Sequence, residues 1–422
     1  MRDSKNYAVS IVIIGALFFI FGFITWLNGT LIPFLKLSCD LQSDSQALLV
    51  TFAFYMAYFF LAIPSSFILG KTGYKKGMSL GLMIMAVGAF LFIPAARERN
   101  FGLFLTGLFI QGMGLALLQT ASNPYIAVIG PMESAAKRIS IMGICNKVAG
   151  ALSPLILGAV VLKGAADIEN QIKTATDPAQ RIQLLQELSH RVINPYLVMG
   201  IVLVALALLI WVSPLPEIET ASSEDGKFGS TPKTSVFQFP HLLLGVICLF
   251  LYVGVEVMAG DVIGQYGRSM GLSLDETKIF TSYTLVSMVI GYIIGVATIP
   301  KYLKQDVALR ICAIVGVAFS LLAFLTKGYT SIFFIAIMGL ANSLMWPAIF
   351  PLAIEGLGKF TKIGSALLIM GIAGGAVIPQ VYGHLAGILS AQTAFFICTA
   401  GCYLYILFYS VKGHNVGKTL IK

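Results

Sequence analysis

Residues 251–267 read LYVGVEVMAGDVIGQYG. They lie within an apolar run from about 240 to 266, yet they include Glu256, Asp261 and Gln265. About 20 largely apolar residues make a helix that crosses a bilayer. Inside hydrocarbon, each carboxylate at the centre of such a helix costs about 2.5–3.5 kcal/mol on insertion scales. A chain that keeps two of them there is expected to use them.

The rest of the chain has the same character. Of its 422 residues 57% are apolar and 11% charged, whereas a soluble domain has roughly a quarter of its residues charged. Lipid cannot satisfy stray backbone groups, so the spans must be helices. Twelve are predicted, over about 8–35, 46–70, 77–96, 102–129, 138–162, 192–213, 240–266, 278–299, 308–326, 330–354, 362–388 and 393–411. The first is too long for a signal-peptide core and reads as retained. The fold class is therefore an all-α membrane protein whose bulk partner is the lipid bilayer.

The net charge of +9 does not indicate a nucleic acid. With the N-terminus placed inside, Lys and Arg outnumber Asp and Glu on the cytoplasmic segments and are nearly balanced on the other side. That bias puts both termini in the cytoplasm. The six cysteines show no CxxC spacing, so neither a metal site nor a disulfide framework is indicated.

The organisation is six spans (1–213), a polar linker (214–239) and six spans (240–422). The linker contains EIETASSEDGKFGSTPKTSVFQ at 217–238 and has the composition of an irregular cytoplasmic connection. A long outer loop, 163–191, carries DPAQRIQLLQELSHRV with apolar residues at helical spacing, which predicts a short surface helix. Ser38, Leu41 and Asp44 recur as Ser269, Leu272 and Asp275, each 231 residues on. Gln119 and Pro124 are echoed by Asn342 and Pro347. Together these matches point to a parallel duplication, with a substrate site between the halves near the midplane and alternating access by rocking. The short basic loops GKTGYKKG (70–77) and PKYLKQD (300–306) occupy equivalent places and read either as orientation charge or as a cytoplasmic latch.

No GxxxxGK[ST], HExxH or GxSxG is present, so ATP-driven pumping and hydrolytic chemistry have no support, and no enzyme is expected. What remains are neutral polar and aromatic side chains at mid-span: Asn28, Gln111, Gln119, Asn123, Asn146, Gln265, Asn342, Trp346, Gln380 and His384. An amide both donates and accepts, which suits hydroxyls, and an aromatic face covers the apolar side of a sugar ring. Gln119/Asn123, Asn342/Trp346 and Gln380/His384 are each four apart, hence on one helix face. The bland reading is that buried amides merely hold helices together, worth about 0.6 kcal/mol each; Gln111 is read that way, and Asn123 can cap a break at Pro124.

Glu256 and Asp261 lie about 140° apart around a helix, whereas Asp261 and Gln265 share a face. Lys147, about 13 Å into its span, either snorkels to the interface or turns inward and pairs with Glu256 across the halves. Intramembrane ionisable groups usually face a cavity, pair, and mark a pathway. Protonation or a cation at the carboxylate would then change what Lys147 holds.

LNGTLIP (27–33), LLQTASNPY (117–125), YVGVEV (252–257), WPAIFPLAIEGLG (346–358) and GSALLIMGIAGGAVIPQVYG (364–383), taken in order, resemble the fucose–proton symporter family of the major facilitator superfamily, in its bacterial glucose/galactose transporter branch. The resemblance covers nearly the whole chain. It implies a monomeric inner-membrane symporter that moves a neutral hexose inward with a cation and needs no other cofactor. The proton-coupled fucose branch has Asp where this chain has Gly29, Glu where it has Gln119, and a neutral amide where it has Glu256. Coupling is thus expected to have moved to span 7, with Lys147 as partner. Glu256 and Asp261, with carbonyls freed at Gly254 and Gly260, would ligate Na⁺; a proton on one carboxylate or uncoupled facilitation are the alternatives. Outside symport, the readings are an exporter of amphipathic compounds, which a polar amide lining disfavours, and a sugar sensor without flux.

Overall fold

The computed structural model describes residues 2–128, 135–213, 215, 234–299 and 302–417; within 2–9, 123–124, 127–128, 135–140, 359 and 361–362 only the backbone path is described. Most of the linker predicted at 214–239, and the start of the loop predicted at 300–306, lie outside the described residues. Among the described residues twelve helical segments are long and apolar enough to cross a membrane, in agreement with the sequence.

Spans are numbered in chain order. The first six include span 1 (Ser10–Ser38), span 2 (Asp44–Thr72), span 3 (Tyr74–Glu98), span 4 (Phe101–Ser122) and span 5 (Ile141–Val161). The last six are span 7 (Pro240–Gly260), span 8 (Leu274–Thr298), span 9 (Gln305–Leu325), span 10 (Gly328–Ile354), span 11 (Ile363–Ile388) and span 12 (Ala391–Val411). Span 6 (Ile193–Val212) follows, after a two-residue turn, a helix predicted in the long loop, which forms over Pro178–His190 and is capped by the Asp177 side chain. A second loop helix covers Ala165–Thr174. The end of the bundle that carries these two helices is called the loop face below.

Within the first six, span 1 packs on span 5, span 2 on span 4, and span 3 on spans 4 and 6. Within the last six, span 7 packs on span 11, span 8 on span 10, and span 9 on spans 10 and 12. Each pairing thus recurs six spans later, as a parallel duplication requires. The two sets meet along spans 5 and 8 and along spans 2 and 11, a pair of contacts that the same relation exchanges.

Spans 1, 7 and 10 are broken. Span 1 runs helically to Thr25 and resumes at Asn28. Span 7 starts on Pro240, where a missing N–H costs nothing, and its helix ends at Gly260 before resuming over Ile263–Ser269. Span 10 breaks at Leu344. The carbonyls freed at the span 7 break are taken up locally: Thr281 and Thr284 of span 8 donate to the Gly260 and Ala259 oxygens at 2.8 and 2.7 Å. Gly260 is required at its position because an added Cβ would lie 2.3 Å from the Trp26 ring.

The basic turn at 70–77 tightens around Gly73, whose φ is +76°. Its Lys75 donates to the Ser213 carbonyl at 2.7 Å, so this lysine holds spans 3 and 6 of its own set together.

Candidate functional site

A cavity of about 150 Å³ lies between the two sets of six. One water needs about 10–15 Å³, so the space is large enough for a small polar ligand. From the first six spans it is walled by Phe18, Phe21, Thr25 and Trp26 of span 1, Tyr55 and Tyr58 of span 2, Gln119 of span 4, and Gly143, Asn146 and Lys147 of span 5. The other wall is Tyr252, Val253 and Glu256 of span 7, Tyr292 of span 8, Trp346 and Pro347 of span 10, and Ile372 of span 11.

Its centre is an ion pair. Lys147 Nζ lies 2.8 Å from Glu256 Oε1, and the two side chains are 9% and 11% exposed. Of the two readings of Lys147, the inward one holds. Tyr252, one helical turn before Glu256, donates its hydroxyl to the same Oε1 at 2.8 Å. The Lys147 ammonium also lies 4.5 Å from the centre of the Trp26 ring, close enough for a cation–π attraction. Trp26 is held by two glycines, since a Cβ at either Gly150 or Gly260 would come within 2.3 Å of its ring.

On the opposite wall Gln119 donates to the Tyr58 hydroxyl at 3.0 Å. The Tyr58 and Tyr55 rings stack at 6.5 Å. Tyr55 in turn donates to Asp261 Oδ2 at 3.3 Å, across the interface. Asp261 is therefore outside the cavity wall, one hydrogen bond behind it. It is fully buried, and its Oδ1 has no hydrogen-bond partner. The backbone N–H of Gly29, at the start of the second helix of span 1, also faces the Asp261 carboxyl.

Of the sugar-site residues expected from the sequence, Gln119, Asn146 and Trp346 reach the cavity, along with Lys147 and Glu256. Asn146 also donates to the Phe18 carbonyl at 3.4 Å. The Asn123 side chain lies outside the described residues. The others are elsewhere. Asn342 accepts from Tyr403 at 2.7 Å inside the last six spans; the break at Leu344 rotates Trp346 toward the cavity and leaves Asn342 behind, so their four-residue spacing does not keep them on one face. Asn28 is buried outside the wall. His384 is exposed.

Gln265 and Gln380 are contacts of the loop face. Gln265 donates to Asp44, which also pairs with Lys36. Gln380 donates to the Ser45 carbonyl at 3.3 Å and accepts from the Ser45 hydroxyl at 3.3 Å. Arg268 pairs with Glu169 of the first loop helix, and Ser282 donates to the Ala151 carbonyl at 2.7 Å. All four join the first six spans to the last six, so the loop face is closed over the cavity.

The two carboxylates expected to hold Na⁺ do not converge on one point: Glu256 pairs with the Lys147 ammonium in the cavity wall, whereas Asp261 lies outside the wall against Tyr55, and the Gly260 carbonyl accepts from Thr281. Among the described residues no group of three or more His, Cys, Asp or Glu converges as a metal would require. The sequence reading also missed Trp26, Tyr55, Tyr58, Tyr252 and Tyr292. One of these was readable: Tyr252 precedes Glu256 by four, hence shares its face.

The profile of the Major Facilitator Superfamily matches residues 14–379. A glucose/galactose transporter of Brucella abortus is 32% identical over 414 residues, spanning 97% of this chain and 95% of the relative. An L-fucose–proton symporter of Escherichia coli is 28% identical, spanning 98% of this chain and 96% of its own. The crystal structure of the transporter FucP in the outward conformation superposes with a TM-score of 0.73 at 26% identity, covering 96% of this chain and 98% of that one. With the twelve spans, their repeated pairing and the central cavity, these likenesses establish that the chain belongs to the major facilitator superfamily, alongside bacterial glucose/galactose transporters and L-fucose–proton symporters.

Proposed function

We propose that this chain is a proton-coupled secondary transporter that imports a neutral hexose, glucose or galactose, by alternating access. It acts as a monomer in the inner membrane with both termini in the cytoplasm, and the loop face is then the outer face. The observation that carries the reading is the cavity between the two sets of six, walled by amides, tyrosine hydroxyls and indoles. Amides and hydroxyls exchange hydrogen bonds with sugar hydroxyls, while Trp26 and Trp346 offer flat faces to the C–H side of the ring. The relatives named for glucose, galactose and fucose transport support the substrate class.

The wall is more aromatic than its amides foretold, which brings it nearer to a pocket for amphipathic compounds. A cationic drug would nevertheless need a free carboxylate. Among the described residues Glu256 is the only carboxylate in the wall, and it already holds Lys147.

For coupling, Asp261 is the residue of choice. A buried carboxylate with an unbonded oxygen is expensive while charged, and a proton removes that charge without any further ligand. Its hydrogen-bond partner, Tyr55, belongs to the other set of six, so loading and unloading Asp261 changes how the two sets hold each other. The relative named as a proton symporter supports H⁺ as the ion.

The test is uptake of labelled glucose and galactose into proteoliposomes. An inward proton gradient without Na⁺ is expected to concentrate the sugar, and a Na⁺ gradient at equal pH is not. Asp261→Asn is expected to abolish accumulation while sparing counterflow. Accumulation with Na⁺ alone would overturn the proton assignment, and no uptake or counterflow of either sugar would overturn the substrate.

A further inference from the structure

We propose that the Lys147–Glu256 pair is a charge filter: it makes the cavity select uncharged sugars and reject their uronate and amino-sugar counterparts. This inference rests on the hexose reading above and specifies which members of that class the site admits.

Both groups line the cavity, and each keeps unused capacity. Lys147 and Tyr252 converge on one carboxylate oxygen, Oε1; the other, Oε2, takes none of the described hydrogen bonds. The ammonium has three donors, of which one is directed to Glu256 while the Trp26 face lies beside it. The pair therefore presents an acceptor and a donor side by side next to an indole. A hydroxyl, or two adjacent ones, can donate to Oε2 and accept from Nζ at once, leaving the pair intact.

A charged ligand cannot. A carboxylate on the sugar is drawn to Lys147 and repelled by Glu256 a few ångströms away, so it gains only by separating them. An ammonium on the sugar meets the mirror-image conflict. The surroundings offer no relief, because Trp26, Tyr252, Tyr292 and Trp346 carry no compensating charge and the low-dielectric wall strengthens both the attraction and the repulsion. Specificity here comes from the penalty imposed on the wrong ligand. Removing one member of the pair reverses the sign: Glu256→Gln leaves an unmatched cation in the wall, and Lys147→Met leaves an unmatched anion.

The experiment is counterflow of labelled glucose or galactose in proteoliposomes, with unlabelled glucose, galactose, glucuronate, galacturonate, glucosamine and galactosamine as competitors. It needs no ion gradient, so it is independent of the coupling assignment. In the wild-type protein the neutral sugars are expected to compete at least tenfold better than either charged class. Glu256→Gln is expected to improve uronate competition relative to the neutral sugar by tenfold or more, and Lys147→Met to do the same for the amino sugars. The double variant is expected to favour neither. Wild-type competition by a uronate or amino sugar equal to that of the neutral hexose overturns the filter without any variant. So do single variants that fold but weaken all competitors in parallel. Loss of counterflow with every neutral hexose in the wild type would instead refute the hexose reading, and the filter with it.

Discussion

The side chains of Lys147 and Glu256, from opposite sets of six spans, meet at 2.8 Å inside the cavity wall. Stripping one partner from such a buried pair costs up to about 3–5 kcal/mol, while removing both costs far less. Lys147→Met and Glu256→Gln are each expected to lower the unfolding temperature in detergent, and the double variant to recover most of the loss. A thermal-shift double-mutant cycle measures this. Additive losses would mean that the two charges do not act as a pair.

Gly29 fits under span 8 only because it lacks a side chain. A Cβ there would lie 2.2 Å from Thr281 Oγ1, the same hydroxyl that holds the Gly260 carbonyl. Gly29→Ala is therefore expected to hold the loop face open and to reduce hexose uptake by tenfold or more. Alkylation of Ser45→Cys from outside reports the opening. Burial pushes the native Cys39 thiol up to about 11, which keeps it slow in that assay because the thiolate is the reactive form. Unchanged labelling would show that the loop face closes without this contact.

The Glu169 carboxyl sits on the loop face against Arg268 and Lys173. Burial alone would push its pKa up; the hydrogen bonds and charges of Lys173 and Arg268 outweigh it and bring the value below the ordinary 4.5. A depressed carboxylate contributes its stabilisation fully above the ordinary value and loses it as pH falls through the lowered one. Closure of the loop face is thus expected to be insensitive to Glu169 titration near neutrality and to weaken under stronger acid. Glu169→Gln should remove that acid step from the Ser45→Cys labelling profile, and a profile identical to wild type would contradict the assignment.

Gln119 and Asn342 separate wall from packing. Gln119→Ala deletes an amide in the wall and should raise the hexose KM by about tenfold, the equivalent of about one hydrogen bond. Trp26→Leu should do at least as much, since it removes both the ring face and the cation–π partner of Lys147. Asn342→Ala strands the Tyr403 hydroxyl and should cost about 1–3 kcal/mol of stability with little change in KM. KM values for purified, folded variants decide between these outcomes.

Much of the fold was legible because hydrocarbon leaves a chain few options. Span length, helical structure and the break near Gly260 follow from apolar runs and glycine placement. The loop helix at Pro178–His190 was readable from its spacing. The site was legible only in part. Lys147 and Glu256 were marked as intramembrane charges, and Gln119, Asn146 and Trp346 as mid-span polar or aromatic groups. The pairs Asn342/Trp346 and Gln380/His384 misled, because a four-residue spacing fixes a shared face only while the helix stays regular. It says nothing about which way that face points.

From the sequence alone came the twelve apolar spans, the expectation of two related sets, and the short list of polar groups whose burial demands an explanation. Tertiary structure decided which of those groups meet. Helical periodicity orders side chains around one axis, but rotation about that axis, and the small breaks at 26–27, 261–262 and 344, are set by packing between helices. Those rotations turn Lys147 toward Glu256, put Asp261 behind Tyr55, and send Gln265 and Gln380 to the loop face instead of the cavity.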